Sequence, residues 1–355
     1  MDQESKNFLT DLLAQCGPSG FETDIQDVWL KRTKKYADTV RKDVHGNAIA
    51  VLNAKADFRI MLAGHCDEIG FIISHITEEG FLYFTAIGGI DAGVIPGSQI
   101  QIKTKKGFVG GVIGKRAIHM MTEAERKTSV PLKDLYIDIG AKDRKNALKY
   151  VQLGDSAVIK PNFIELQNGL FSSKGCDNRT GAFVVSEVLK ILSKDKSKLK
   201  VGVYSVSTVQ EEVGLRGAIT SAYTIKPQAA IAVDVGHATD TPDIDRRVHG
   251  ETFLDKGPIL GHGPVINPVL GKILIDTAEK KKIPYQIRAT SRPGGTDTAM
   301  IQISREGVAT ALVAVPNRYM HTAAETCSFS DVANAAKLIA EAILTIKPGQ
   351  DFIPV

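Results

Sequence analysis

The chain has 355 residues, of which 43% are hydrophobic and 24% are charged, a composition that is ordinary for a globular protein. Its length favours two domains over one. The net charge is only +4, from 44 basic and 40 acidic residues without a long run of one sign, so charge gives no sign of nucleic acid or membrane surfaces as partners.

The N-terminus predicts a cytoplasmic protein. Residues Met1 to Lys6 are polar and lead into an amphipathic segment instead of an apolar signal core. No stretch approaches the ~18 apolar residues that are needed to span a bilayer. The cysteines show no paired spacing, which fits a reducing compartment and argues against a cysteine-based zinc site; they are Cys16, Cys66, Cys176 and Cys327.

Two helices are predicted first. The first carries apolar residues at helical spacing, namely Phe8, Leu9, Leu12 and Leu13. The segment Gly17-Pro18-Ser19-Gly20 then breaks the pattern, and a second, charged helix is predicted from about Glu22 to Asp38.

Four apolar stretches further along the chain each lead to a residue that can bind a metal. They are Arg59 to Gly64 before His65-Cys66-Asp67, Val201 to Val209 before Gln210-Glu211-Glu212, Ala229 to Val233 before Asp234, and Ala309 to Val315 before a loop to His321. Continuous apolar runs are typical of buried parallel strands, and ligands of such sheets bind beyond the carboxyl ends of the strands. The sequence therefore predicts a helix-covered, largely parallel sheet with a metal site at one edge.

The first of these stretches ends in a His-x-Asp motif. Strand side chains alternate with period two, so His65 and Asp67 are expected on one side, where the carboxylate can hold the second imidazole nitrogen of a metal-bound histidine. A lone histidine at a strand end is more often only hydrogen-bonded. Cys66 is expected to point to the opposite face and to be buried.

Residues from about His75 to Phe163 have a different pattern. They are rich in glycine and in short alternating runs such as Ser98 to Lys103 and Gly107 to Ile113, which predicts a small β-barrel or sandwich. Because α/β patterning resumes afterwards, we expect an inserted domain at residues 75–163 within a catalytic domain of residues 1–74 and 164–355.

Asp177 lies in a loop that opens a helix. It could simply cap that helix, or it could bridge two metal ions, which need a shared anionic ligand when they lie ~3.5 to 4 Å apart. The loop alone leaves both readings open.

Glu211 and Glu212 give the sharpest local signal. Adjacent carboxylates at the end of a buried strand repel each other unless a cation or solvent relieves the repulsion. Neighbouring side chains point in different directions, so one glutamate can bind a metal while the other takes a proton from water.

Several later residues are also candidates. Asp234 and His321 are candidate ligands, whereas His237, three residues after Asp234, is a rival that is expected to face solvent. Gly294-Gly295-Thr296-Asp297 lacks phosphate-loop spacing and is expected to form a pocket wall, with Asp297 as an alternative helix cap. A closing helix is predicted to begin at Ser330 as its N-cap.

Over nearly its whole length the chain resembles the TET-type (tetrahedral) family of aminopeptidases with two metal ions, some members of which carry an endoglucanase label. A small departure is Thr298, where the family often has alanine. The resemblance rests on Gly64-His65-Cys66-Asp67-Glu68-Ile69-Gly70, Ile118-His119 with Leu135-Tyr136-Ile137-Asp138-Ile139-Gly140-Ala141, Gly175-Cys176-Asp177-Asn178-Arg179, Gln210-Glu211-Glu212-Val213-Gly214, Pro293-Gly294-Gly295-Thr296-Asp297 and Arg318-Tyr319-Met320-His321.

The resemblance implies a role for each site residue. Asp177 would bridge two divalent metal ions, His65 and Asp234 would complete one site, and Glu212 and His321 the other. Glu211 would be the general base, and Asp67 would orient His65. Imidazole and carboxylate ligands suit Zn²⁺, Co²⁺ or Mn²⁺.

The resemblance also implies an architecture. The catalytic domain would be a three-layer α/β/α fold of the zinc-peptidase type, and the insert a PDZ-like barrel that drives dimerisation and assembly into a tetrahedral dodecamer. The insert lies in the 112-residue gap between His65 and Asp177 and not in the 87-residue gap between Asp234 and His321, which favours aminopeptidases over related carboxypeptidases and deacylases.

The predicted activity is removal of N-terminal residues from peptides with a free N-terminus. Metal-activated water would attack the peptide bond, with Glu211 as the base. The alternatives are a glycoside hydrolase of the endoglucanase type, a dinuclear-metal deacylase or carboxypeptidase, and a non-catalytic shell-forming homologue. A glycosidase would leave His65 and His321 unused, and 6% aromatic residues are few for stacking sugars.

Overall fold

Helices and strands alternate along the chain in the computed structural model, which describes residues 1–354. The helices are α1 (Gln3–Leu13), α2 (Thr23–Thr33), α3 (Glu123–Arg126), α4 (Arg144–Ala147), α5 (Cys176–Lys194), α6 (Arg216–Ile225), α7 (Arg246–His249), α8 (Pro268–Lys281), α9 (Asp297–Gln302) and α10 (Phe329–Thr345). The strands are β1 (Thr39–Lys42), β2 (Ala48–Leu52), β3 (Arg59–His65), β4 (Gly70–Ile76), β5 (Leu82–Ile87), β6 (Gln99–Thr104), β7 (Gly107–Ile113), β8 (Tyr136–Asp138), β9 (Ser156–Ile159), β10 (Ile164–Glu165), β11 (Leu170–Ser172), β12 (Gly202–Thr208), β13 (Ala229–His237), β14 (Ile259–His262), β15 (Gln286–Ala289), β16 (Ala309–Asn317) and β17 (Thr326–Ser328).

The four predicted apolar strands lie side by side in one mixed sheet. Among residues 1–354 this sheet has eight strands, in the order β1-β2-β12-β3-β13-β16-β14-β15. The four central strands β12, β3, β13 and β16 are parallel, whereas β1, β2 and β12 pair in antiparallel fashion, as do β14 and β16. The carboxyl ends of the four central strands therefore meet at one edge.

Helices cover both faces of this sheet. Apolar side chains of α1, α2, α5, α8 and α10 form the larger core on one face, together with residues of the central strands. On the other face α6 and α9 pack through Ala218, Ala222, Ile225 and Ile301. The three-layer α/β/α class that the sequence predicted is confirmed.

A crevice opens between β3 and β13. Their pairing ends at Ala63 and Ala232, although β13 continues beside β16 to His237. The start of α5 packs against this end of β3: a Cβ on Gly64 would lie 2.5 Å from the carbonyl carbon of Gly181. Two glycines thus allow a helix to approach the strand where the crevice begins.

The insert is a closed barrel of the strands β4-β5-β8-β7-β6-β9 with a separate apolar core. The predicted β-barrel is therefore confirmed. Its strands run from Gly70 to Ile159, so β4 begins before residue 75, where the predicted insert begins.

Three predicted element ends differ from the structure. Helix α2 ends at Thr33 instead of Asp38, because the backbone N–H of Asp38 already donates to Val51 of the sheet. Strand β13 continues past Asp234 because β16 pairs with it throughout. The cap of α10 is Ser328 instead of Ser330, since the Ser328 hydroxyl accepts a hydrogen bond from the Ser330 N–H.

Among residues 1–354, none of the helices has the length and apolar character required to cross a membrane.

Candidate metal centre

All five predicted ligands lie together at the crevice. One cluster, whose ligand atoms lie within 4.8 Å of one another, contains His65, Asp177 and Glu212. A second contains His65, Glu211 and Asp234. The side chains at or after the ends of the four apolar strands thus lie close together at one edge of the sheet, as the sequence predicted.

Asp177 lies between the two histidines. Its Oδ1 is 3.3 Å from His65 Nε2, and its Oδ2 is 3.3 Å from His321 Nε2. On the His65 side, Asp234 Oδ1 is 3.7 Å from Nε2, and on the His321 side, Glu212 Oε1 is 3.5 Å from Nε2. One carboxylate therefore faces two half-sites, each with a histidine and a further acid.

Asp67 contacts both the first histidine and the Glu-Glu turn. Its Oδ1 lies 3.4 Å from His65 Nδ1, so the Nε2 of that ring is left to face the cluster. The same carboxylate accepts hydrogen bonds from the Ser19 hydroxyl at 2.7 Å and from the backbone N–H groups of Glu211 and Glu212 at 3.2 Å. One buried carboxylate thus links β3 to the loop that follows β12.

Glu211 and Glu212 diverge, as their adjacency requires. Gln210, just before them, has a positive φ of 55°, which turns the chain sharply after β12. Glu211 Oε2 then lies 3.7 Å from His65 Nε2, whereas Glu212 Oε1 faces His321. Glu211 therefore lies in the cluster with His65 and Asp234, whereas Glu212 lies in the cluster with His65 and Asp177 and also faces His321.

Two groups that sequence reasoning missed hold His321 in place. Glu325 accepts the backbone N–H of His321 with Oε1 at 2.9 Å and that of Asp177 with Oε2 at 2.8 Å. The carbonyl oxygen of Gly89, in the barrel, is 2.8 Å from His321 Nδ1. Glu325 could have been noticed from the sequence, because it is an acid four residues after the candidate ligand His321. The sequence near His321 gives no sign of the Gly89 carbonyl, which lies 232 residues away along the chain.

Several buried carboxyl groups lie close together in the site, and this raises the pKa of some of its residues. Burial, with the nearby charges of Asp234 and Asp297, raises the pKa of Glu211 to about 10. Burial also raises the pKa of Asp234 well above its ordinary value. The adjacent carboxylates of Asp177 and Glu212 raise the pKa of His321 to about 11. These three groups thus bind protons strongly, whereas His321 and His65 lower the pKa of Asp177 against the effect of its burial.

The residues present fit divalent metal ions. Glu212 Oε1 and Asp297 Oδ1 are buried, and neither has a hydrogen-bond partner among residues 1–354. Buried carboxylate oxygens without partners are costly unless a cation compensates them. Imidazole nitrogens with carboxylate oxygens form a donor set that suits Zn²⁺, Co²⁺ or Mn²⁺.

A cavity of about 540 Å³ adjoins the cluster. Its walls include the apolar side chains of Ile259, Val265 and Leu312, and Gly294-Gly295-Thr296 forms the pocket wall predicted for that segment. His237 lines the cavity but belongs to neither cluster. Cys66 is fully buried, as predicted.

Asp297 lies beneath the cluster and is not the cap of α9. The N-cap is Thr296, and Asp297 is the first residue of the helix. Its Oδ2 accepts a hydrogen bond from the Thr208 hydroxyl at 2.6 Å, and burial raises its pKa to about 6.

Comparisons with known proteins agree with this geometry. Residues 46–338 match the model of the M42 glutamyl aminopeptidase family. The lysyl aminopeptidase of Pyrococcus furiosus is 35% identical over 98% of this chain and 98% of its own length. A TET aminopeptidase from a marine sediment archaeon of the Thaumarchaeota superposes with a TM-score of 0.92 at 34% identity, over 97% of each chain. The TET1 peptidase of Pyrococcus horikoshii, described as able to assemble into a tetrahedron or a large octahedral shell, gives a TM-score of 0.84 at 34% identity, over 96% of this chain and all of its own.

A structure described as an endoglucanase of Thermotoga maritima is also similar. Its TM-score is 0.76 at 28% identity, over 95% of this chain and 98% of its own. The endoglucanase label thus occurs among structures that share this fold.

Proposed function

The chain belongs to the M42 glutamyl aminopeptidase family and is a metal-dependent aminopeptidase, and we propose that it removes N-terminal residues through a two-metal centre with Glu211 as general base. The observation that carries the proposal is the position of Asp177. Its two carboxylate oxygens each lie 3.3 Å from a different histidine. A bridging ligand between two ions requires such a placement.

The proposed ligands divide into two half-sites. His65 and Asp234 would hold one ion, Glu212 and His321 the other, and Asp177 both. Zn²⁺, Co²⁺ or Mn²⁺ could occupy these half-sites, because imidazole and carboxylate ligands suit all three ions. When bound, two such ions supply positive charge that polarises the scissile carbonyl and lowers the pKa of the attacking water.

Glu211 is the acid left for proton transfer. Its Oε2 lies 3.7 Å from His65 Nε2, and in the proposed assignment Asp177 and Asp234 supply the carboxylates of the His65 half-site. In the proposed mechanism its carboxylate accepts a proton from the attacking water and gives it to the departing amine nitrogen. Asp67 orients His65 and accepts a hydrogen bond from the backbone N–H of Glu211. The proposed base and the proposed ligand are therefore held at a fixed position relative to each other.

The proposed substrates are peptides with a free N-terminus. A free α-amino nitrogen could bind to a divalent ion held by Asp177, Glu212 and Asp234, whereas the nitrogen of an acylated peptide could not.

The alternatives are not favoured. A glycoside hydrolase would use two acids and leave both histidines without a role, whereas His65 and His321 each lie 3.3 Å from Asp177. Full-length matches to aminopeptidases also speak against a deacylase or carboxypeptidase.

We further propose that the chain assembles into dimers and a tetrahedral dodecamer through its barrel domain. Apolar side chains of the barrel are exposed, with 55% of Phe108 and 46% of Val112 accessible. Exposed apolar side chains of this size are common at contacts between subunits. A measured mass near 460 kDa, about twelve times the 38.3 kDa chain, would support the dodecamer, and a monomer would contradict it.

Two adjacent substitutions test the mechanism. Glu211→Gln should lower kcat about 10²- to 10⁴-fold while metal content stays at the wild-type level, because it removes the base and keeps the ligands. The matched control is Glu212→Gln, which should lose metal from the purified protein. Wild-type turnover by the Glu211→Gln protein, or loss of its metal, would overturn the assignment.

A further inference from the structure

The loop of residues 17–22, between α1 and α2, packs against the residues that follow β3. Within this α1–α2 loop, Pro18 forms a parallel bridge with Glu68. The Ser19 hydroxyl donates a hydrogen bond to Asp67 at 2.7 Å, and both side chains are buried. The loop, to which the proposed mechanism gives no task, is therefore anchored beside the carboxylate that links β3 to the Glu-Glu turn.

Glu22, the last residue of the α1–α2 loop, contacts the turn that carries the proposed base. Its Oε1 accepts hydrogen bonds from the backbone N–H of Gln210 at 3.0 Å and from that of Gly20 at 2.8 Å. Only 6% of Glu22 is exposed, so little solvent competes for these bonds. Glu22 thus joins the α1–α2 loop to the residue that precedes Glu211.

Three successive backbone N–H groups of the turn donate to buried carboxylates. The N–H of Gln210 donates to Glu22, and those of the next two residues donate to Asp67, both at 3.2 Å. Gln210 has a positive φ of 55°, which residues other than glycine keep only where neighbouring contacts fix it. The hydrogen bond to Glu22 is such a contact, and it fixes the residue whose dihedral angles set the direction of Glu211.

These hydrogen bonds need an acceptor oxygen and not a full negative charge. Burial and the neighbouring charge of Asp67 raise the pKa of Glu22 to about 7. A glutamine at this position would keep a carbonyl oxygen with two lone pairs, which is enough for both N–H groups. A carboxamide should therefore replace this carboxyl group, whereas a methyl group should not.

We propose that Glu22 is a positioning residue for the general base, because through the N–H of Gln210 it sets the direction in which the Glu211 carboxylate points. The inference rests on the proposed function of Glu211, whose Oε2 lies 3.7 Å from His65 Nε2. A base must lie within hydrogen-bond reach of the water that it deprotonates, and a displacement of about 1 Å lowers the rate of such a step about 10²-fold. Glu212 keeps its own hydrogen bond to Asp67, so the metal ligands should stay in place without Glu22.

The test measures kcat, KM and metal content of the metal-loaded enzyme with an aminoacyl p-nitroanilide. Glu22→Ala should lower kcat about 10- to 100-fold, with KM and metal content within about twofold of wild type, because the base is displaced and the ligands are not. Glu22→Gln should recover kcat to within about threefold of wild type. Glu22→Asp, which shortens the side chain by one methylene group, should give an intermediate kcat and replaces the alanine variant if that protein does not fold.

The matched control is Asp331→Ala. Asp331 is also buried and accepts two backbone N–H groups, those of Asp255 and Gly257, both at 2.7 Å. Within the part of the chain that the structure describes, neither donor belongs to a candidate metal cluster or lines the cavity. Asp331→Ala should lower the Tm, because two buried N–H groups lose their acceptor, and should leave kcat unchanged.

A double variant separates an effect through Glu211 from a general effect on the fold. In the Glu211→Gln background, Glu22→Ala should lower the residual kcat by less than about twofold, because the residue that Glu22 positions is no longer a base. A full additional loss there, loss of metal or wild-type kcat in Glu22→Ala, or no recovery in Glu22→Gln would overturn the inference. Wild-type kcat in Glu211→Gln itself would count instead against the proposed function.

Discussion

Glu211 and His321 carry pKa values that are raised in the same direction for different reasons. Burial is the main cause for Glu211, and the adjacent carboxylates of Asp177 and Glu212 are the main cause for His321. Both groups bind a proton more tightly in the folded chain than in the unfolded chain. A divalent ion competes for the same negative charges, so metal binding should release protons.

This predicts how the stability of the metal-free protein changes with pH. A group whose folded pKa is raised stabilises the fold below its unfolded pKa and loses that contribution as pH rises toward the folded value. The unfolded values are 4.5 for Glu211 and 6.5 for His321, and the folded values are about 10 and about 11. The Tm of chelator-treated protein should therefore fall between about pH 6 and about pH 9.

Added Zn²⁺ or Co²⁺ should make this decline smaller, because the ligands then exchange their protons for metal. Glu211→Gln, which cannot titrate at this position, should also show a smaller decline. Differential scanning fluorimetry across this pH range provides the measurement. A metal-free protein that is more stable at about pH 9 than at about pH 6 would contradict the cause given for these pKa values.

At the scale of single residues, the sequence was informative where a residue that can bind a metal lies at the end of a predicted apolar strand. His65, Asp234, Glu211 and Glu212 lie on or directly after apolar strands, so their convergence could be predicted. Glu325 could be noticed as an acid four residues after His321, but its role could not be predicted, because it accepts backbone N–H groups from two segments that only the fold brings together.

Glu325 connects two elements of the site. Its carboxylate joins the start of α5, where Asp177 lies, to the loop that carries His321 between β16 and β17. His321 has a positive φ of 61°, and so has Tyr319 with 59°, so the loop backbone is strained for residues other than glycine. The hydrogen bond from Glu325 holds this strained segment beside Asp177.

Glu325→Gln should weaken metal binding about ten- to hundredfold. The NH₂ group of the glutamine would replace one carboxylate oxygen, and it cannot accept the hydrogen bond that a backbone N–H donates to that oxygen in the wild type. Metal titration by calorimetry measures this effect, and circular dichroism checks that the chain is folded. Glu306→Gln, at an exposed glutamate, is the control and should bind metal as wild type does. Equal affinities for the two variants would refute a positioning role for Glu325.

At the scale of elements, the central strands of the large sheet were predictable because their apolar runs are continuous. The residues at which these strands end were harder to predict. Asp234 lies inside β13 because pairing with β16 continues after β3 has diverged, and a partner strand is not visible in the sequence of β13 itself. The contacts of Asp177 with His65 and His321 favour a bridging role, which stays a proposal, and these contacts were not visible in the sequence.

At the scale of the whole molecule, the barrel contacts the proposed metal centre. The Gly89 carbonyl lies 2.8 Å from His321 Nδ1, and a Cβ on Gly88 would lie 3.3 Å from Glu212 Cβ and 2.8 Å from a methyl group of Ile69. The loop after β5 therefore packs on one half-site. The division of the chain into a catalytic domain and a dimerisation domain is our proposal, and this contact couples the two parts.

Gly88→Val should weaken metal binding at least about tenfold, because the added side chain presses on Glu212 and Gly88 has a positive φ of 78°. The matched control is Gly97→Val, which imposes the same backbone strain at a φ of 95° with no atom within 4 Å of the added Cβ. Metal titration of both proteins separates strain from contact. Equal losses in the two variants would show that the loop does not support the site.

The most direct measurement of the central claim uses one peptide in two forms. Chelator-treated protein is given a peptide with a free N-terminus and the same peptide acetylated at its N-terminus, with and without Zn²⁺ or Co²⁺, and products are followed by mass spectrometry. We predict stepwise loss of single N-terminal residues from the free peptide alone, and only after metal is added. Cleavage of the acetylated peptide at the same rate, internal fragments, or undiminished cleavage without metal would contradict the account.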